Sequence, residues 1–152
     1  MAQKFKDERG CKLTMTETIP QNFQDLLEAS VPVMLTTVMP DGQPQASPVW
    51  CLWEDGHIKI STTHDRQKAK NLREYPQATV LAIDPENQFR YLEVRGQAHI
   101  SDEDPVAFVN RVAQSYVNQP YYGGVMPEDH PEQERRIVVS IRPTHVNAIQ
   151  QN

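Results

Sequence analysis

Four cations stand close together in an otherwise acidic chain: Arg66, Lys68, Lys70 and Arg73. Three hydroxyl side chains, Ser61, Thr62 and Thr63, come just before them. An arginine fork, a lysine point charge and hydroxyl donors are groups that hold a phosphate. A helix beginning at this point adds free backbone N–H groups and the positive end of its dipole. The plainer reading is a charged helix that solvates its own outer face. Elsewhere the chemistry is sparse. The five histidines, His57, His64, His99, His130 and His145, show no metal-ligand spacing, and there is no Cys-x-x-Cys. A metal site is therefore not expected. No nucleophile elbow, Walker loop or dinucleotide fingerprint occurs. Cys51 lies in an apolar run and reads as inert filling. No residue set announces acid–base or covalent catalysis. A redox cofactor would bring its own chemistry and ask the protein only to bind and orient it.

Trp50 and Trp53 share the segment Ser47-Pro48-Val49-Trp50-Cys51-Leu52-Trp53. Strand alternation sends them to opposite faces, with Pro48, Trp50 and Leu52 on one and Val49, Cys51 and Trp53 on the other. Both read first as core residues, although one of them can line a groove or a subunit interface. Pro48 lacks an N–H, so its neighbours can leave backbone groups free for a flat ligand.

The elements that must position these residues follow from periodicity and punctuation. Phe23, Leu26 and Leu27 fall at helical spacing within 20–29. Residues 31–39 are rich in β-branched side chains and read as a strand. The turn Pro40-Asp41-Gly42 leads to a second strand over 43–53. The turn Glu54-Asp55-Gly56 leads to a third over 57–63. These three strands read as a meander. A basic helix follows, capped by Asp65 and ended by Pro76. Further strands are expected over 78–84 and 90–100, with Gly96 as a bulge. A helix enters at Asp104-Pro105 and carries Val106, Val109, Val112, Ala113 and Tyr116 on one face. The connection over 118–134 is long enough to act as a lid over a flat ligand, through Tyr121-Tyr122 and Gly123-Gly124. A last strand spans 136–143 and continues over 145–149. The expectation is a mainly β (α+β) fold: a six-stranded antiparallel barrel with peripheral helices.

The chain has 152 residues, enough for one domain with its own core. Residues 1–18 read as a loose, charged N-terminal arm and 19–152 as the domain. With 15 Lys+Arg against 20 Asp+Glu the net charge is −5, which argues against a bulk nucleic-acid binder. No apolar run approaches the ~20 residues of a membrane span, and the charged start is not a secretory signal. Cysteine usage is consistent with a reducing, cytoplasmic setting.

The order of motifs resembles the pyridoxamine 5'-phosphate oxidase-like flavin-binding split barrels, and most closely the small oxidoreductases that use the deazaflavin coenzyme F-420. The resemblance rests on Met39-Pro40-Asp41-Gly42-Gln43-Pro44 followed by Ser47-Pro48-Val49-Trp50, then Arg66-Gln67-Lys68-Ala69-Lys70-Asn71-Leu72, then Tyr91-Leu92-Glu93-Val94-Arg95-Gly96, and Ile141-Arg142-Pro143-Thr144-His145-Val146. It implies a split-barrel homodimer with two cofactor sites at the subunit interface. In that family Arg66 and Lys68 match the pair that holds the cofactor phosphate, with Lys70 and Asn71 supporting that end. Ser61 and Thr62 match the strand end facing the phosphate. Ser47, Pro48, Val49 and Trp50 match the strand that passes the flavin ring. Members use FMN or F-420, and some related barrels bind haem. The implied activity is hydride transfer between such a cofactor and a conjugated small molecule. The alternative is a non-catalytic carrier of flavin, deazaflavin or haem. No pyridoxal-phosphate site matches, so true pyridoxamine phosphate oxidase activity is not implied.

Overall fold

The computed structural model describes residues 16–120 and 135–151. A short 3-10 turn, Gln21–Phe23, runs into helix α1, Asp25–Glu28. Strands β1 (Val33–Val38), β2 (Pro44–Val49), β3 (Cys51–Glu54) and β4 (His57–Thr63) follow. Helix α2 (Gln67–Glu74) leads to β5 (Gln77–Ile83) and β6 (Arg90–Ser101). Helix α3 (Pro105–Val117) precedes β7 (Arg136–Gln150). The chain is mainly β: one antiparallel seven-stranded sheet in the order β2-β1-β5-β6-β7-β4-β3.

Two expectations are corrected here. The sheet has seven strands rather than six, and the first three expected strands do not form a meander. The stretch 43–53 breaks at Trp50, because its halves pair with strands at opposite ends of the sheet: β2 with β1, and β3 with β4. Period-two alternation runs through the break unaltered, so it does not reveal which partner each half takes. The break also explains the closure. β2 and β3 are the two edges of the sheet, yet only Trp50 separates them in the chain. Flanking Cα atoms of one residue are at most roughly 7 Å apart. The sheet therefore curls until its edges meet at that corner, which makes it a split barrel.

The barrel interior is apolar. Val33 and Leu35, Ile58 and Ile60, Val80 and Ala82, Leu92 and Val94, and Ile137, Val139 and Ile141 alternate inward and are buried. Phe23, Leu26 and Leu27 join the same core, as their helical spacing requires. A second cluster lies on the outer face, where Phe108 and Val112 of α3 cover Val138, with Trp50, Leu52 and Tyr116 around them. Trp50 and Trp53 thus do face opposite ways: Trp53 packs against the barrel core and Trp50 against α3.

β7 is central and contains Pro143, which cannot donate to a ladder. The register shift between Arg95 and Gly96 accommodates it: Gly96 pairs with Pro143, Arg95 pairs with His145, and Thr144 is the extra residue. The bulge expected at Gly96 is therefore present, with its inserted residue on the partner strand. Its Thr144 hydroxyl donates to the Arg95 carbonyl at 3.1 Å.

Of the expected arm, residues 1–15 lie outside the described residues. Its end is tied down: the Glu17 N–H donates to the Pro143 carbonyl at 3.2 Å, and the Glu17 carboxylate accepts the Val146 N–H at 2.6 Å. The expected lid residues, Tyr121 to Gly124 among them, also lie outside the described residues. Among the described residues no helix is long and apolar enough to cross a membrane.

Candidate functional site

The end of β4, the break at Trp50 and the start of α2 meet around a cavity of about 370 Å³. Seven of the ten residues singled out in the sequence line it: Pro48, Val49, Trp50, Ser61, Thr62, Arg66 and Lys68. Pro32, Thr63, Val112 and Arg136 complete the lining. Ser47, Lys70 and Asn71 do not line it.

Part of the lining is apolar. Val49 and Trp50 follow Pro48 at the sheet edge, and the Trp50 ring stacks on Tyr116 with centroids 5.0 Å apart and planes 20° from parallel. Tyr116 anchors that corner: its hydroxyl accepts the Cys51 N–H at 3.0 Å and donates to the Val31 carbonyl at 3.3 Å. This contact supplies the backbone partner that the strand break withholds from Cys51. The Cys51 thiol itself is buried, and burial pushes it up to about 11. It is therefore a protonated, inert thiol, as its apolar setting suggested.

The rest of the lining includes cations. Arg66, Lys68 and Arg136 bring three positive side chains, and no carboxylate stands among the described lining residues. In a chain of net charge −5 this local excess is not a consequence of composition. Burial, followed by repulsion from Arg66, lowers the Lys68 ammonium below the ordinary lysine range. A bound anion would relieve this repulsion between Lys68 and Arg66.

The helix start differs from expectation in one detail. Arg66, not Asp65, is the cap residue of α2, with extended backbone at φ −65° and ψ 142°. Asp65 instead accepts the Thr63 hydroxyl at 2.5 Å, and this bond is the main reason its carboxyl lies below the usual range. The Asp65 side chain is thereby engaged with β4 and no side chain caps α2, whose Ala69 N–H donates to the Arg66 carbonyl at 3.0 Å.

Asn71 is fully buried beneath α2. Its amide nitrogen donates to the Thr37 hydroxyl at 3.0 Å and to the Gln45 side-chain oxygen at 3.3 Å, while its oxygen accepts from Gln67 at 2.8 Å. This network pins α2 to β1 and β2, and so fixes the height at which Arg66 and Lys68 enter the cavity. Replacing Asn71 by Ala leaves the buried Thr37 hydroxyl without this donor. The expected loss of stability is about 2 kcal/mol, checked by urea unfolding.

A second hollow of about 610 Å³ shares Thr63 and Arg66 with the first and adds His64, Asp65, Arg73 and Arg135. Arg73 is committed there: it donates to the His64 carbonyl at 3.0 Å and to His64 Nδ1. An arginine only donates, so Nδ1 carries no proton and Nε2–H points at Asp102, 3.0 Å away. These bonds brace the turn between β4 and α2.

The fold is matched in known proteins. The model of the family described as pyridoxamine 5'-phosphate oxidase matches residues 19–150. The chain belongs to the pyridoxamine 5'-phosphate oxidase family. Among solved structures, an F-420 reductase is 31% identical with a TM-score of 0.73, covering 85% of this chain and 98% of its own. A conserved hypothetical protein from Mycobacterium tuberculosis is 26% identical with a TM-score of 0.70, covering 89% of this chain and 86% of its own. A heme storage protein from Vibrio cholerae shares the fold at 16% identity and a TM-score of 0.63, covering 88% of this chain and 96% of its own. No curated protein matches the chain.

Family membership accounts for the split barrel. The sequence reading missed Arg136, Val112 and Pro32. Two of them come from elements distant in sequence: Arg136 lies opposite Thr63 in the β4–β7 ladder, and Val112 comes from α3. The only local hint was the pair Arg135-Arg136 before an apolar run.

Proposed function

We propose that this chain is an oxidoreductase that holds FMN or coenzyme F-420 in the cavity between Trp50 and Lys68 and serves hydride transfer to or from a conjugated small molecule. The observation that carries the reading is the pairing of an apolar stretch, Pro48 to Trp50, with Arg66 and Lys68 around one cavity of about 370 Å³, with no carboxylate among its described lining residues. That donor set fits a planar ring bearing a phosphate. Arg66 and Lys68 would take the phosphate oxygens, with Ser61 and Thr62 as hydroxyl donors. Pro48, Val49 and Trp50 would border the ring, Ser47 would belong to the same strand, and Lys70 and Asn71 would support the phosphate end. The cofactor supplies the hydride when bound; the protein's part is to orient the ring and exclude water. Haem fits less well, since its iron takes an axial His, Cys, Met or Tyr, and the described lining residues offer none.

A carrier of FMN or F-420 uses the same cavity, and turnover separates the two readings. The test is the absorption spectrum and mass of whatever co-purifies, titration with FMN and with F-420, and then assay of the reduced cofactor against an acceptor panel. Stoichiometric binding of either cofactor with steady turnover is the expected result. Binding without turnover selects the carrier, and failure of both cofactors to bind overturns the reading.

The active form is proposed to be a homodimer in which a second copy covers the open side of the cavity and one tryptophan. An open sheet edge beside an aromatic side chain favours such a cover. Light scattering that shows a monomer with tightly bound cofactor would count against it.

A pH dependence follows from Lys68. Its lowered ammonium loses its proton before an ordinary lysine does, and a phosphate binds the charged form. Cofactor affinity is therefore expected to hold at neutral pH and to fall as pH rises through the lowered Lys68 value. Bound phosphate raises that value, so binding takes up protons in the same window. Titration calorimetry in buffers of different ionisation heat reads this uptake, and Lys68→Met abolishes it.

A further inference from the structure

Arg136 opens β7 opposite Thr63, and Ser61 lies one diagonal step away on the same face of the ladder. Arg136 is only 8% exposed. Its guanidinium donates to Ser61 Oγ at 3.0 Å. A guanidinium has donors only and keeps its charge throughout the accessible pH range. Ser61 Oγ is therefore the acceptor in this bond, and its single hydrogen is turned away from Arg136. That hydrogen has no acceptor among the described residues. Ser61 lines the cavity, so the cavity is where an acceptor can meet it. The neighbouring Thr63 differs: its hydroxyl hydrogen is already given to Asp65 at 2.5 Å. Two hydroxyls on one strand face are thus held in opposite senses, one offering a hydrogen and the other only lone pairs.

We propose that Arg136 is a positioning residue that holds Ser61 as an obligate hydrogen-bond donor toward the cavity, and thereby selects a phosphate oxygen over a neutral hydroxyl at that end of the ligand. The inference rests on the phosphate reading above and goes beyond it by assigning which hydroxyl donates and which residue makes it do so. Without Arg136 the Ser61 hydroxyl rotates freely and can accept as well as donate. The preference for an acceptor-only anion then weakens even though Ser61 remains.

The test is a double-variant cycle on the full chain. Dissociation constants are measured for FMN and F-420 and for their phosphate-free counterparts, riboflavin and the deazaflavin analogue. Ser61→Ala is expected to weaken the phosphorylated ligand about tenfold. Its phosphate-free counterpart should change by less than about twofold. Arg136→Met should do the same in the parent and add less than about twofold in the Ser61→Ala background. Arg136→Lys, which keeps the charge but loses the fork, carries the cycle if Arg136→Met does not fold. Equal losses from the Arg136 variant in both backgrounds would show that it acts by its own charge and would overturn the proposal. So would a Ser61→Ala variant that binds the phosphorylated ligand like the parent. Arg66→Ala is measured alongside. If it loses the preference for phosphate while Ser61→Ala does not, the phosphate reading stands and the role of Arg136 falls. If no variant changes the preference, or neither cofactor binds, both fall together.

Discussion

Replacing either Arg66 or Lys68 by Ala is expected to weaken binding of FMN or F-420 by about tenfold to a hundredfold. Each side chain lines the cavity, and neither shares that lining with a carboxylate among the described residues. A charge-assisted bond to phosphate is worth about 1.5–3 kcal/mol, and each ~1.4 kcal/mol is tenfold in affinity. The fold should be indifferent, because neither residue belongs to the buried core and surface substitutions usually change stability by less than about 0.5 kcal/mol. Riboflavin and the phosphate-free deazaflavin should lose much less than their phosphorylated forms. Fluorescence titration of the four ligands against parent and variants checks this. Unchanged affinity for both phosphorylated cofactors in both variants would remove the phosphate assignment and the site placement built on it.

Gly96→Val is expected to destabilise the barrel by about 3 kcal/mol. A Cβ at Gly96 would stand 2.5 Å from the Arg142 carbonyl oxygen and 2.6 Å from Ile141 Cγ2. Neither obstacle can easily yield. One is backbone within β7, and the other belongs to a fully buried β-branched side chain with few rotamers. The bulge exists to pass Pro143 through a central strand, so shifting β7 also disturbs its pairing with β4 behind Ser61 and Thr63. Urea unfolding should show a lower midpoint at similar slope, and cofactor affinity should fall less than stability does. Gly96→Ala is the milder arm of the same series. A Gly96→Val protein as stable as the parent would mean that the close approach is relieved at no cost.

The two effects belong to different layers of the molecule. Arg66 and Lys68 act at the surface of the cavity, whereas Gly96 and Asn71 hold the frame that brings them there. Asn71 does so through Thr37, Gln45 and Gln67. Its place in the motif with Arg66 and Lys68 reflects that frame, since it does not line the cavity itself.

Local chemistry made much of this protein legible from its sequence. Residue types and turn signals marked strands over 31–39, 57–63 and 90–100, within which β1, β4 and most of β6 lie. Helical spacing gave α3 and the buried Phe23, Leu26 and Leu27. Residue types gave the cationic cluster beside the Ser61–Thr63 hydroxyls, and motif order gave the family. Three matters were settled only by long-range pairing. The run 43–53 reads as one strand because its alternation is unbroken; its division at Trp50 depends on β1 and β4 competing for its two halves. The bracing of Tyr116 against Trp50 and Cys51 joins residues 65 apart in sequence, as the Cys51–Tyr116 bond shows. Arg136 faces Ser61 because β7 pairs with β4 in one register, and a slip of one residue would turn it to the barrel interior. Sequence periodicity records which face a residue takes, but not which strand will lie beside it. That choice is made when the sheet curls and its edges meet at Trp50.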